Sequence, residues 1–233
     1  MNIKKLIVDS YNIPLPVPVK AYAAGLMTGF DIVVVRITDE NGNEGQGYTT
    51  GHTGFGNSIV RIIKDSYESI LIGADSGRIE YLWLKMWKKT HYVGRGGQAS
   101  FAISAIDAAL WDLLGKRLKQ PLWKLLGGYS PKVKIYAGNI DLNFPIEQIL
   151  DNATKNIEEG YKAIKMRLGR DSLKEDLSRV EAMRKHVGDE IELMADANEA
   201  WRVDQALKAS NELANFNLTW LEEPITPDDF RGY

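Results

Sequence analysis

The second half of the chain alternates strand-like and helix-like segments, and this alternation limits the fold more than any other feature. Segment 133–137 is followed by 145–159, 163–168 by Leu173–Val187, and 191–195 by 203–215; the series closes on Leu218–Glu222. A β-α-β-α-β-α-β order calls for a parallel sheet, because parallel neighbours need long crossovers and those crossovers are right-handed. A closed (β/α)8 barrel takes roughly 250 residues. Four strands within 131–233 form either a small open sheet or the first half of a barrel.

The first half reads differently. Residues 4–10 alternate loosely and 31–38 is rich in β-branched side chains. Asn41-Gly42 supplies a hairpin turn, and 44–48 returns. The Pro- and Gly-rich stretch 14–29 reads as a loop between the first two strands. Helices are expected over 57–72, 78–90 and Gln98–Leu118, the last with Ala102, Ile106, Ala109, Leu110 and Leu113 at helical spacing. Gly127-Gly128 closes the helical part. The expected organisation is an α+β domain over 1–130 and an α/β domain over 131–233.

Composition narrows the chemistry. The 233 residues contain no Cys and three His, so thiolate sites are excluded and a His-rich metal site is disfavoured. A metal here would be a hard cation on carboxylates, such as Mg²⁺. The net charge of -2 gives no general pull toward nucleic acid or acidic lipid. The opening residues do not read as a signal peptide and no run of about 18 apolar residues occurs, so a cytoplasmic protein away from membranes is expected.

Strand parity picks out the candidate site. Ile164, Met166 and Leu168 share one face of their strand; Lys165 and Arg167 share the other. Asp196 shares parity with Met194 and Asn198, and Glu222 with Trp220. Each has a plainer reading: an edge strand with solvated cations, a helix N-cap, a polar strand end. Together they place a cation pair, a carboxylate and a carboxylate at three successive strand ends, where parallel α/β folds assemble their chemistry. Asp196 and Glu222 together are suited to Mg²⁺.

These residues resemble those of the mandelate racemase/muconate lactonizing enzyme family of the enolase superfamily. The resemblance runs through Asn43-Glu-Gly-Gln-Gly-Tyr48, Thr90-His-Tyr-Val-Gly-Arg95, Ala105-Ile-Asp-Ala-Ala-Leu-Trp-Asp-Leu-Leu-Gly-Lys116 and Pro121-Leu-Trp-Lys-Leu-Leu-Gly-Gly128. It continues in Lys165-Met-Arg167, Asp196-Ala-Asn198 and Leu221-Glu-Glu-Pro224. It implies an α+β capping domain followed by the first half of a modified (β/α)7β TIM-like barrel, with the third metal ligand beyond Tyr233. It further implies Mg²⁺ on Asp196 and Glu222, and removal of the proton α to a carboxylate through an enediolate. Many relatives carry Lys-X-Lys on the second strand. Here Arg167 replaces the second Lys and, being always protonated, suits an anchor better than a base. Lys165 remains as acid or base. This departure favours a one-base dehydratase of a sugar acid over a two-base racemase. A racemase, epimerase or cycloisomerase is the alternative within the family.

The resemblance also implies substrate contacts from Asn198, from Asn139 at the first barrel strand, and from Lys20, Tyr22 and His52 in loops of the capping domain. For the last three, ordinary loop positions are the plainer reading. The complete enzyme is expected to be a homo-oligomer. With the third ligand beyond Tyr233, this chain alone is expected to be nearly inactive, and a catalytically incomplete fragment needing a second chain is the reading from another class. A nucleotide-binding protein is disfavoured, because no G-x-G-x-x-G follows a strand and Gly94-Arg-Gly-Gly97 precedes a helix in the wrong context.

Overall fold

The computed structural model describes residues 1–233, the side chain of His52 excepted. The chain divides into two compact units: Met1–Pro16 with Thr28–Lys132, and Val17–Met27 with Val133–Tyr233.

A three-stranded sheet in the order β1 (Ile3–Ala21), β2 (Gly25–Asp39), β3 (Glu44–His52) opens the fold. β2 and β3 pair antiparallel from Thr38↔Glu44 to Phe30↔His52. Between them, the Asp39 carboxylate accepts from the backbone N–H groups of Asn41 (2.9 Å) and Asn43 (3.0 Å), which closes the turn. The stretch expected as a loop over 14–29 instead continues both strands into a long hairpin. Pro14, Pro16 and Pro18 sit at alternate positions, so their missing N–H groups fall on one side of β1, an edge strand that tolerates them. At its far end the Lys20 N–H donates to Asn143 Oδ1 (2.9 Å), and Asn143 Nδ2 donates to the Pro18 carbonyl (3.3 Å).

Val33, Val35 and Ile37 alternate along β2 and are buried with Ile59, Ile63, Tyr67 and Leu71. Those four come from α1 (Gly56–Ile62), a π-helical turn (Ile63–Tyr67) and α2 (Glu68–Leu71). Burying each aliphatic side chain contributes roughly 1.5–3 kcal/mol. After α3 (Ile79–Lys89), the long helix α4 (Gln98–Leu118) lies directly on β3. The approach is close because Gly45 and Gly47 carry no side chain. A Cβ at Gly45 would come within 2.1 Å of the Ala109 carbonyl oxygen, and one at Gly47 within 2.2 Å of that of Ala105. The Glu-Gly-Gln-Gly run and the Ala-rich helix thus explain each other. A short helix, α5 (Leu122–Leu125), ends this part.

The second unit is a four-stranded parallel sheet in sequential order: β4 (Ala137–Gly138), β5 (Ala163–Arg167), β6 (Glu192–Asp196) and β7 (Leu218–Glu222). Helices α6 (Ile146–Glu158), α7 (Leu173–Val187) and α8 (Val203–Leu213) connect them. The first strand is shorter than the segment 133–137 that reads as a strand. Only Ala137 and Gly138 pair, with Ile164 and Lys165. Parity works as expected on β5 and β6. Ile164, Met166, Leu168, Leu193, Ala195 and Ala197 are buried with Ile149, Val180, Met183 and Ala209 of the helices. The residues of opposite parity (Lys165, Arg167, Met194 and Asp196) occupy the other face. The unit is therefore the start of a barrel. No helix is long and apolar enough to cross a membrane among the described residues.

Candidate active site

Arg167, Asp196 and Glu222 end their strands in register: Arg167 pairs with Asp196, and Asp196 with Glu222. Between β6 and β7 a bulge past the Leu193↔Leu218 pair shifts the register, so that Asp196 comes level with Glu222. Lys165 lies two residues back on the same face and bridges both carboxylates. Its Nζ donates to Asp196 Oδ2 (3.3 Å) and to Glu222 Oε1 (3.0 Å) and Oε2 (2.9 Å). The Lys165 and Asp196 side chains are 8% and 2% exposed, while Glu222 keeps 35%. Two buried charges of opposite sign persist because each neutralises the other; removing one would leave the other uncompensated.

Arg167 is held at three points. Its Nη1 donates to Asp196 Oδ2, its Nε to the Asn139 carbonyl (3.1 Å), and its backbone N–H to Asp141 Oδ1 (3.2 Å). A guanidinium fixed this way orients Asp196 and is not free to move protons. Asp196 Oδ1 accepts from the backbone N–H of Asn198 and from its Nδ2, both at 2.9 Å, and Nδ2 also donates to Glu223 Oε2 (3.1 Å).

The backbone is strained at the same level. Asn198, Glu199 and Glu223 adopt φ of 47°, 65° and 44°. Such left-handed positions cost of order 1–3 kcal/mol each and persist where surrounding bonds over-determine them. Here the Ala197, Glu199 and Trp201 N–H groups donate to the Glu222, Glu223 and Pro224 carbonyls at 3.0, 2.7 and 3.1 Å.

Electrostatics follow the contacts. Burial pulls the Lys165 ammonium toward a lower pKa, but its hydrogen bonds to Glu222 and the charge of Asp196 outweigh that, so it stands above an ordinary lysine. Burial pushes Glu222 up, and the hydrogen bonds from Lys165 and Trp220 more than reverse it, holding the carboxyl below its usual range.

Of the residues singled out in the sequence, Lys165, Arg167, Asp196, Asn198 and Glu222 come together, and Asn139 joins through its backbone carbonyl. The Lys20 side chain is exposed. Tyr22 lines a separate hollow of about 540 Å³ with Arg170, Asp171, Trp201, Arg202 and Lys208. The side chain of His52 lies outside the described residues. Sequence reasoning missed Asp141. It is 1% exposed, its other oxygen Oδ2 has no partner among the described residues, and burial raises its pKa. Its loop carries no periodicity that would reveal it.

The donor set fits a hard divalent cation in part. Two carboxylates converge closely enough for one ammonium to bond both, and Mg²⁺ is commonly held by one or two carboxylates plus water. No three His, Cys, Asp or Glu side chains form a metal cage among the described residues.

Comparison with known proteins agrees with this arrangement. Residues 4–127 match the model of the mandelate racemase/muconate lactonizing enzyme N-terminal domain, and residues 148–233 match that of the enolase C-terminal domain-like family. The chain is 46% identical over 230 residues to a 3,6-anhydro-alpha-L-galactonate cycloisomerase of Streptomyces coelicolor, covering 99% of this chain and 64% of the relative. A crystal structure of a racemase from Streptomyces coelicolor with bound magnesium superposes with a TM-score of 0.96 at 46% identity, over 99% of this chain and 64% of that one. The L-talarate dehydratase from a Polaromonas species, complexed with Mg and L-glucarate, superposes with a TM-score of 0.91 at 34% identity, over 99% of this chain and 63% of that one. The chain thus spans less than two thirds of the length of these relatives. From its first strands to the paired carboxylates Asp196 and Glu222, it belongs to the mandelate racemase/muconate lactonizing enzyme family of the enolase superfamily.

Proposed function

We propose that the protein removes the proton α to the carboxylate of a sugar acid and that dehydration follows. The observation that carries this reading is Lys165, held between Asp196 and Glu222 at the in-register strand ends. Asp196 and Glu222 would hold Mg²⁺. When bound, the ion supplies positive charge opposite the substrate carboxylate as its second negative charge develops.

The chain's own groups do the rest. With Mg²⁺ on Asp196 and Glu222, Lys165 would no longer be bonded to both carboxylates and would be available as the base beside the α-carbon. The amine takes the α-proton. The resulting ammonium returns it to the departing β-hydroxyl, so water leaves and the enol tautomerises to a 2-keto acid. Arg167, pinned by Asn139, Asp141 and Asp196, remains a fixed cation for the anionic substrate. Asn198 orients Asp196 and contributes a substrate contact through Oδ1, which is buried and has no partner among the described residues. A further carboxylate, from a later strand or a second chain, completes the ligand set, and the finished enzyme is a homo-oligomer.

Cycloisomerisation is the second reading, favoured by the 46% identity to a cycloisomerase. It begins with the same deprotonation but makes or breaks a ring C–O bond without losing water. A panel of aldonic, aldaric and anhydro-sugar acids, incubated with Mg²⁺ in D2O and the enzyme completed by that further carboxylate, tests both. Release of water with a 2-keto product supports dehydration, and an isomeric product of unchanged formula supports cycloisomerisation. Turnover that survives Lys165→Ala contradicts both.

A further inference from the structure

Four side chains close a ring beneath the strand ends. Trp220 Nε1 donates to Glu222 Oε2 (3.1 Å), and both Glu222 oxygens accept from Lys165 Nζ. Lys165 Nζ lies 5.6 Å from the centroid of the Tyr136 ring, within cation–π range. The Tyr136 ring meets that of Trp220 edge-on, with centroids 5.6 Å apart and planes at 78°. Trp220 is on β7 and Tyr136 immediately precedes β4, the opposite edge of the sheet. Two intervening strands separate them, so they touch because the sheet curls. Neither ring is part of the apolar core: Tyr136 is 39% exposed and Trp220 38%.

We propose that Trp220 and Tyr136 are positioning residues, an aromatic floor that fixes the Glu222 carboxylate and the Lys165 ammonium. The indole N–H occupies one lone pair of Oε2 and so selects the Glu222 rotamer. The Tyr136 ring face lies 5.6 Å from Lys165 Nζ and bounds it there. When another cation displaces Lys165, the Trp220–Glu222 bond still holds the carboxylate in place. Its use in metal binding rests on the reading of Asp196 and Glu222 as ligands; the positioning of Glu222 does not.

The indole N–H resonances of the six tryptophans provide the test, with that of Trp220 identified by its loss in Trp220→Phe. Glu222→Gln is expected to move the Trp220 resonance upfield and leave the other five in place. Trp220→Phe, which keeps an aromatic ring and removes the donor, is expected to weaken Mg²⁺ binding roughly tenfold. Should that variant misfold, Trp220→Tyr identifies the resonance and the Glu222→Gln shift decides alone. A Trp220 resonance indifferent to Glu222→Gln overturns the floor, as does Trp220→Phe binding Mg²⁺ as tightly as the parent protein. If Glu222→Gln moves the resonance while Mg²⁺ binds nowhere, the metal reading fails and the floor stands.

Discussion

Both units bury carboxylates, but Asp31 and Asp39 of the first are satisfied differently from Asp196 and Glu222 of the second. In the first unit Asp31 and Asp39 take their hydrogen bonds from neutral donors, with Arg117 Nε standing 4.0 Å from Asp39 Oδ2. Asp31 accepts from Asn12 Nδ2 and from the Gly54 and Gly56 N–H groups at 2.9, 2.8 and 2.9 Å. Asp39 accepts from the backbone of its own turn and from Asn43 Nδ2. In the second unit Asp196 and Glu222 share the Lys165 ammonium of β5, and Asp196 also binds the fixed guanidinium of Arg167. A carboxylate saturated by backbone amides fixes a turn and has little left to offer a ligand. A carboxylate neutralised by a lysine can exchange that lysine for another cation. Burial alone therefore does not mark a site; the kind of partner does.

The largest expected effect lies in the first unit and bears on packing alone. Gly47→Ala forces a Cβ to within 2.2 Å of the Ala105 carbonyl oxygen, in backbone that cannot yield cheaply. It should cost about 3 kcal/mol in urea unfolding, with no recovery on adding Mg²⁺. A loss much below that would mean α4 is not seated on β3 as described.

Lys165→Ala should cost somewhat less, about 2 kcal/mol, because Arg167 stays and Glu222 is partly solvated. Millimolar Mg²⁺ is expected to restore part of this loss and to bind more tightly than in the parent, since the competing ammonium is gone. Equal affinity in the two proteins would remove the distinction between exchangeable and saturated carboxylates.

That distinction was partly legible in the sequence. Parity placed Lys165, Arg167, Asp196 and Glu222 on one face because alternation is a local property of a strand. Leu173–Val187 and Gln98–Leu118 were readable for the same reason, since each carries its own period. Register was not readable, because it depends on how far each crossover helix returns the chain. The hairpin over 14–29 was misread as a loop: proline frequency argues for a break, and only the edge position of β1 makes alternate prolines harmless. The Tyr136–Trp220 contact comes from sheet curvature, which no single segment encodes.

Smaller effects should follow pH. Asn12 leads the donors that hold Asp31 below the usual carboxylate range, followed by the Gly56 amide. Burial pushes Asp39 up, but Asn43 and the turn amides outweigh it, so Asp39 also lies low. A lowered folded pKa gives stability that is complete above the unfolded value near 4 and is lost as pH falls through the folded value. Burial holds Asp141 and Asp176 of the second unit above the usual range, so protonating them on acidification relieves a penalty. Hydrogen exchange between pH 5 and 3 should show amides of the 39–43 turn losing protection before those around Gly169. The reverse order would contradict the assignment. Asp39→Asn, which keeps one acceptor, should cost about 1 kcal/mol and flatten the acid response of that turn.

Isothermal titration of Mg²⁺ into the protein and into Asp196→Asn, Glu222→Gln and Asp39→Asn variants tests the central claim most directly. The expected result is binding that is lost or sharply weakened in the first two variants and unchanged in the third. Binding that survives both Asp196→Asn and Glu222→Gln, or that Asp39→Asn abolishes, would contradict it.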